Sequence, residues 1–202
     1  MNPALETLIH ELERYRESWI GTEDRFDQTA TLNRYLAFLE AQPDAAERSC
    51  RPGHLTGSAL VLTPERDRVL LHLHGKLGIW IQLGGHADGS YDLAGTALRE
   101  AREESGMERF RILDWSRAFD SQGSRPTCFD LDIHLIPARA SEPAHEHFDA
   151  RYLLIAEDPE AFRRSDESIE LKWLTLEEAY RLTSETSMRR QFDKVRFLPK
   201  NL

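Results

Sequence analysis

Apolar residues recur at helical spacing from Pro3 to about Trp19, at Leu5, Leu8, Ile9, Leu12 and Tyr15 among Glu and Arg, and Asn2-Pro3 supplies a start signal. A second stripe, Leu32, Tyr35, Leu36 and Leu39, predicts a helix over roughly 23–42 that stops before Pro43-Asp44. Residues 43–53 mix Pro, Ala, Ser and charges, and read as a linker or irregular crossing rather than a packed element. From there the pattern turns to strands. Leu55 to Thr63 and Arg68 to His74, split by the turn-forming Pro64-Glu65-Arg66-Asp67, predict a hairpin. Ile79 to Leu83 predicts a third strand ending at Gly84-Gly85, and Phe110 to Trp115 a weaker one. Residues Phe129 to Leu135 alternate apolar and polar with period two, as a half-buried strand does. Arg151 to Ala156 and Leu171 to Leu174 complete the strands, with a helix from Asp92 to Ser105 and a terminal helix from about Leu176. Strands and helices mix without regular βαβ alternation, so the expected class is α+β with a mixed sheet. Residues 1–50 are expected to form an N-terminal helical extension and linker, and 51–202 the principal domain.

Composition narrows the function more than the fold. The 202 residues carry a formal charge of -9, which argues against a nucleic-acid backbone as main partner, since that contact needs concentrated Lys and Arg. Two distant cysteines, Cys50 and Cys128, support neither a disulfide framework nor a Cys-rich metal site and read as reduced and structural. No basic region leads into an apolar run and no stretch is long enough to cross a bilayer, so the reading is cytoplasmic with no membrane partner.

The helix after Gly84-Gly85 holds the chemistry. Asp92 suits its N-cap and Gly106 the left-handed position past its end. Ala94, Ala97, Leu98 and Ala101 share one side, fit for close packing on a sheet, while Glu100, Glu103 and Glu104 crowd another. Like charges at these spacings cost roughly 0.2–0.5 kcal/mol per pair, and the C-terminal end of a helix disfavours anions further. A hard divalent cation, Mg²⁺ or Mn²⁺, would reverse that cost. Ion pairing with Arg99 and Arg102 on a solvated face is the alternative for a bare cluster.

The spacing decides between them. Gly85, Arg99, Glu100, Ala101, Glu103, Glu104, Gly106 and Met107 fall in register with the pattern G-x5-E-x7-R-E-U-x-E-E-x-G-U, U being apolar, and the chain thereby resembles the Nudix hydrolase superfamily. Tyr91 stands where the pattern has its first Glu. Gly53 to Ala59, Lys76 to Trp80, Gln82 to Gly89 and His147 to Tyr152 are similar to a bacterial branch with a helical N-terminal extension. The resemblance implies an α/β/α sandwich around a mixed sheet, preceded by two helices. It also implies metal-dependent hydrolysis of a diphosphate bond in a nucleoside diphosphate linked to another group, such as ADP-ribose or a nucleotide sugar, by water attack at phosphorus. Nucleoside triphosphate pyrophosphohydrolysis and a non-catalytic nucleotide-sensing domain are the alternatives. By the same resemblance Glu100, Glu103 and Glu104 are metal ligands and catalytic groups, Arg99 orients them, the Gly85 carbonyl adds a ligand, and Glu167, in Asp166-Glu167-Ser168, is the candidate for a further acidic ligand.

Substrate-binding candidates are Lys76, His86, His147, Arg151 and Arg125. His145, His147, Asp149 and Arg151 fall two apart, so a strand presents all four on one face, either lining the pocket with Arg151 on phosphate or facing solvent. His145-x-His147 alone is a poor transition-metal motif, because two imidazoles need further ligands. Trp80 and Trp173 read as core, and Arg125, in the loop 116–127, either reaches the substrate as loops beside a rigid sheet often do or, more simply, is exposed to solvent. The N-terminal helices are open to three uses: covering the pocket, forming a homodimer surface, or packing on the sheet.

Overall fold

The structure, a computed structural model, describes residues 2–19, 26–118, 127–139, 142–163 and 168–200. Its elements run α1 (Pro3–Trp19), α2 (Thr29–Ala41), β1 (Gly53–Leu62), β2 (Arg68–His74), β3 (Trp80–Ile81), β4 (Leu83–His86), α3 (Leu93–Ser105), β5 (Phe110–Ile112), β6 (Asp130–Ile136), β7 (His145–Ala156), β8 (Ser168–Thr175), α4 (Leu176–Leu182) and α5 (Thr186–Phe197). Among the described residues the strands form one mixed sheet of order β3-β2-β1-β7-β5, with β4 also on β1, β6 on β7 and β8 on β2. The β1–β7 pair is parallel over the whole of β1, from Gly53–Glu146 to Leu62–Ile155, while the other pairs are antiparallel. This is the expected α+β sandwich with two N-terminal helices.

The pairing register sorts the sheet into two unlike faces. Leu55, Gly57 and Ala59 of β1 lie beside Phe148, Ala150 and Tyr152 of β7, and α1, α2 and α3 pack there. A Cβ at Gly57 would lie 2.6 Å from the Leu93 carbonyl oxygen and 2.9 Å from Thr96 Cβ, so the glycine permits the close approach of α3, with Ala97 and Ala101 fully buried against the sheet. Phe38 stacks on Phe148 at 3.8 Å, and the Tyr35 hydroxyl donates to the Phe148 carbonyl at 3.0 Å. Of the three uses open to the N-terminal helices, packing on the sheet is the one seen. Segment 43–50 is irregular as expected, yet it is packed: Ala45, Ala46 and Cys50 are buried, and Leu55 and Gly89 donate backbone hydrogen bonds to the Ala45 and Ala46 carbonyls. The linker reading is corrected accordingly, because backbone bonds to β1 and to the box turn hold the segment down.

On the opposite face the same register lines up polar residues: His54, Thr56 and Ser58 of β1, His147, Asp149 and Arg151 of β7, Asp130, Asp132 and His134 of β6, and Gly84 and His86 of β4. Helix α5 covers one end of this face through Arg190 and Lys194. Other differences from expectation are local. The third strand breaks at Gln82 into β3 and β4, the second helix starts later than 23, and the terminal helix is two helices with a break at 183–185. Trp80 and Trp173 pack against the core as partly buried residues, and both cysteines are free and buried. Among the described residues no helix is long and apolar enough to cross a membrane.

Candidate active site

Helix α3 is delimited as the sequence suggests. Asp92 Oδ1 accepts from the Gly95 N–H at 2.9 Å, and Gly106 closes the helix at φ 67 with its N–H on the Arg102 carbonyl. Held between these caps and pressed to β1 and β4 by its alanines, the helix aims its glutamates at the glycine pair. Glu104 is buried, and its Oε2 accepts from the Gly84 N–H at 2.8 Å. The Glu100 carboxylate lies over Gly85 so closely that a Cβ there would fall 2.4 Å from both its carboxyl carbon and Oε1. Glu103 is the outer member, its side chain 59% exposed against 14% for Glu100 and 7% for Glu104. Arg99 spans the group. Its Nη1 sits 2.7 Å from Glu100 Oε1 and 3.2 Å from Glu103 Oε2, while Nη2 donates to the His86 carbonyl at 2.9 Å. One guanidinium therefore bridges two of the three carboxylates and ties them to β4.

Buried on β2, His72 places Nδ1 3.8 Å from Glu104 Oε1. Burial, and then His74, push its pKa down to about 4, so the neighbour of Glu104 is a neutral imidazole at physiological pH. Tyr91, in the place of the pattern's first Glu, is buried, and its hydroxyl donates to the Pro43 carbonyl at 2.9 Å. The departure thus converts a carboxylate position into a tie between the box turn and the N-terminal segment.

The structure brings Gly85, Arg99, Glu100, Glu103 and Glu104 together and sets His86 beside them. It places Arg151 elsewhere, and the expectation that Arg151 meets phosphate is corrected. Its guanidinium is buried and fully engaged, donating from Nε to Asp149 (2.8 Å), from Nη1 to Asp130 (3.3 Å) and from Nη2 to Asp132 (2.9 Å). Arg190 grips Asp130 with two bonds of 2.9 and 2.8 Å, Lys194 adds a third at 2.8 Å, and Thr56 and Ser58 each donate to Asp149 at 2.8 Å. Burial alone would raise the Asp130 pKa, but Lys194 and Arg190 outweigh it and hold the carboxyl below its ordinary value. Three carboxylates face three cations, and the cluster is a balanced internal ion network.

The remaining assignments divide three ways. Lys76 is exposed in the turn between β2 and β3. Arg125 and Glu167, with Asp166, lie outside the described residues. His147 and His86 meet a histidine that motif reasoning passed over, His54, in a group whose possible ligand atoms all lie within 4.8 Å of one another. Burial, and then His86 and His145, bring the His54 pKa down to about 4; His86 and His147 are lowered as well, in both cases chiefly by burial.

An α/β/α sandwich whose box helix turns two carboxylates onto a glycine pair defines the class, and comparison with known proteins identifies the family. The sequence matches the NUDIX domain over residues 53–195, so the chain belongs to the Nudix family and is a hydrolase of it. Hydrolases of this family generally need divalent metal ions. A comparison with curated protein sequences gave no significant match. Among solved structures, the chain is similar to the C. elegans Ap4A hydrolase in a binary complex (18% identity, 71% of this chain and 95% of that one, TM-score 0.54). It is also similar to the E. coli dihydroneopterin triphosphate pyrophosphohydrolase (16% identity, 71% and 94%, TM-score 0.50). At these identities the likeness is one of fold.

Proposed function

We propose that this protein hydrolyses a diphosphate bond in a nucleoside diphosphate linked to another group, using Mg²⁺ or Mn²⁺ held by the box. The observation that carries the reading is the convergence of Glu100 and Glu104 on the Gly84-Gly85 backbone. The donor set fits a hard divalent ion: carboxylate oxygens gathered on a glycine backbone, with the neutral imidazole of His72 set beside Glu104. Glu100, Glu104 and the Gly85 carbonyl would hold the ion, with Glu103 completing the set from the solvent side and Glu167 as a candidate from the following loop. Bound there, it would neutralise phosphoryl oxygens and lower the pKa of an attacking water.

The chain's own groups supply the positioning. Arg99 pairs with both Glu100 and Glu103 and is itself anchored on the His86 carbonyl. Glu100, at the glycine turn and partly exposed, is the proposed acceptor of the water proton, whereas Oε2 of Glu104 is engaged by the Gly84 N–H. Lys76, exposed in the turn between β2 and β3, is a candidate cation for substrate phosphate. The fold serves diphosphate-containing substrates in both structural relatives by name, a dinucleoside tetraphosphate in one and a pterin triphosphate in the other. A hydrolysis screen with Mg²⁺ and Mn²⁺ across ADP-ribose, nucleotide sugars, CDP-alcohols, dinucleoside polyphosphates and nucleoside triphosphates tests the reading. Nucleoside monophosphate plus a phosphorylated partner, abolished in Glu100→Gln and Glu104→Gln, is the expected result. Release of pyrophosphate from a nucleoside triphosphate would replace it with the pyrophosphohydrolase reading, and no turnover on any of them would favour a sensing domain.

A further inference from the structure

We infer that His54, His86 and His147 form a second, chemically distinct metal site that takes one borderline transition-metal dication of the Zn²⁺ class. Three adjacent strands deliver the three imidazoles to one face of the sheet: His54 pairs directly with His147 across β1 and β7, and His86 closes β4 where it runs along β1. Ring centroids lie 4.8 Å apart for His54–His147, 5.0 Å for His54–His86 and 5.1 Å for His86–His147. The ligand atoms fall within 4.8 Å of one another, so rotations of the rings suffice to bring three nitrogens to one centre at about 2.0–2.1 Å.

Polar satisfaction supports the same conclusion. His54 is 1% exposed, yet both its ring nitrogens, and Nε2 of His147, have no hydrogen-bond partner among the described residues. A buried polar group left without a partner is destabilising, and a neutral imidazole always has one N–H and one lone pair to place. In a sheet whose other buried polar groups are so thoroughly paired, a cluster of histidines with idle nitrogens facing one another calls for a shared partner. A cation accepts lone pairs from all three at once, as no single hydrogen-bond donor can.

The surroundings complete the picture. His145 stacks at 4.8 Å from His54, and its Nδ1 lies 3.0 Å from the Pro143 carbonyl, which can only accept and so fixes a proton on that nitrogen. His134 sits 5.3 Å from His147 with Nδ1 on Asp132 at 3.2 Å. Such carbonyl and carboxylate contacts to the far ring nitrogen are those that orient metal-binding histidines, and either ring can complete a tetrahedral set that water would otherwise fill. Imidazole-rich sites select Zn²⁺, Fe²⁺, Co²⁺ or Ni²⁺ over Mg²⁺. Consecutive residues of a strand face opposite ways, so His86 and Gly85 put this site and the glutamate site on opposite sides of β4. The carbonyl of His86 that anchors Arg99 links the two mechanically.

The test is a titration of untagged, chelator-stripped full-length protein with Co²⁺ and Zn²⁺ in excess Mg²⁺, read by the visible d–d band of bound Co²⁺ and by calorimetry. One Co²⁺ per chain is expected in the wild type and in Glu100→Gln/Glu104→Gln. Affinity should fall by about 100-fold or more in His86→Gln and in His147→Gln, beyond the cost of losing an outer partner. Those two partly exposed positions are chosen because His54 is wholly enclosed, and circular dichroism confirms their folding. Co²⁺ binding that is absent in the wild type, unchanged in both histidine variants, or lost in the glutamate variant would overturn the site. None of these readouts depends on turnover, so failure of the hydrolase reading and failure of this one are separable.

Discussion

The carboxylate of Glu104 accepts a hydrogen bond from the backbone N–H of Gly84 at 2.8 Å, so the last glutamate of the box is locked to the strand that precedes it rather than free in solvent. A glutamine at 104 retains an oxygen for that bond and removes only the charge. Glu104→Gln is therefore expected to keep its fold while losing about 100-fold or more in kcat, since several kcal/mol of charge stabilisation go with a metal ligand. Chemical denaturation alongside metal-dependent kinetics checks both halves, and wild-type turnover in a well-folded variant would remove Glu104 from the metal set.

Gly84 and Gly85 are adjacent, yet adding a methyl group to each has opposite expected consequences. At Gly85 the new Cβ meets the end of the Glu100 side chain, 2.4 Å from Oε1, which can swing away. At Gly84 it meets Ser58 Cα at 2.8 Å, where backbone must move. Gly85→Ala should fold with a stability change within about 1 kcal/mol and lose activity to the level of Glu100→Gln, whereas Gly84→Ala should be destabilised by about 2 kcal/mol or more. Equal melting points for the two variants would contradict the close pairing of Gly84 in β4 with Ser58 in β1.

How far these features could be read beforehand depended on whether the signal was local. Helix α3, its Asp92 cap, its Gly106 stop and its alanine stripe are short-range patterns, and all are seen. The glutamates were legible for the same reason, because one helix carries them. Pairing register is not local. Nothing in the neighbourhood of Gly53-His54-Leu55 says that His54 will sit opposite His147, and no spacing connects Arg151 to Arg190 or Lys194. The polar alternation of 129–135 is that of the strand it forms, but Asp130 on its polar face meets buried cations in place of water, and the Lys and Arg supplying them come from a helix 60 or more residues away. Tyr91 fell between the two cases: its departure from the box was visible, while its bond to Pro43 was not.

Because Arg151 satisfies the buried Asp130 and Asp149 and the partly buried Asp132, its loss belongs to stability rather than to substrate affinity. Arg151→Met fills the volume without the charge and leaves three carboxylates to Arg190 and Lys194. The expected cost is about 3–5 kcal/mol, the usual result of removing one member of a buried ion network. Urea denaturation measures it directly. A variant of wild-type stability whose only defect is a raised KM would restore Arg151 to the substrate pocket.

Glu11 offers a pH signature for the docking of α1. Its Oε1 accepts from the Tyr152 hydroxyl and the Cys128 N–H, both at 2.8 Å. Burial pushes the carboxyl pKa from 4.5 up to about 7, against the opposing pull of these bonds and of Arg14. Between those two values the folded chain holds a proton that the unfolded chain has released, so this contribution to stability is complete below 4.5 and is lost as pH rises through about 7. Glu11→Gln keeps an oxygen acceptor and carries no charge at any pH. At pH near 8 it should therefore be more stable than wild type by up to about 3 kcal/mol, and the gain should shrink toward zero as pH approaches about 5. Urea melts of both proteins across this range decide the matter: a difference that does not vary with pH would mean that Glu11 titrates alike in the folded and unfolded chain, and that the contact of α1 with β7 does not desolvate it.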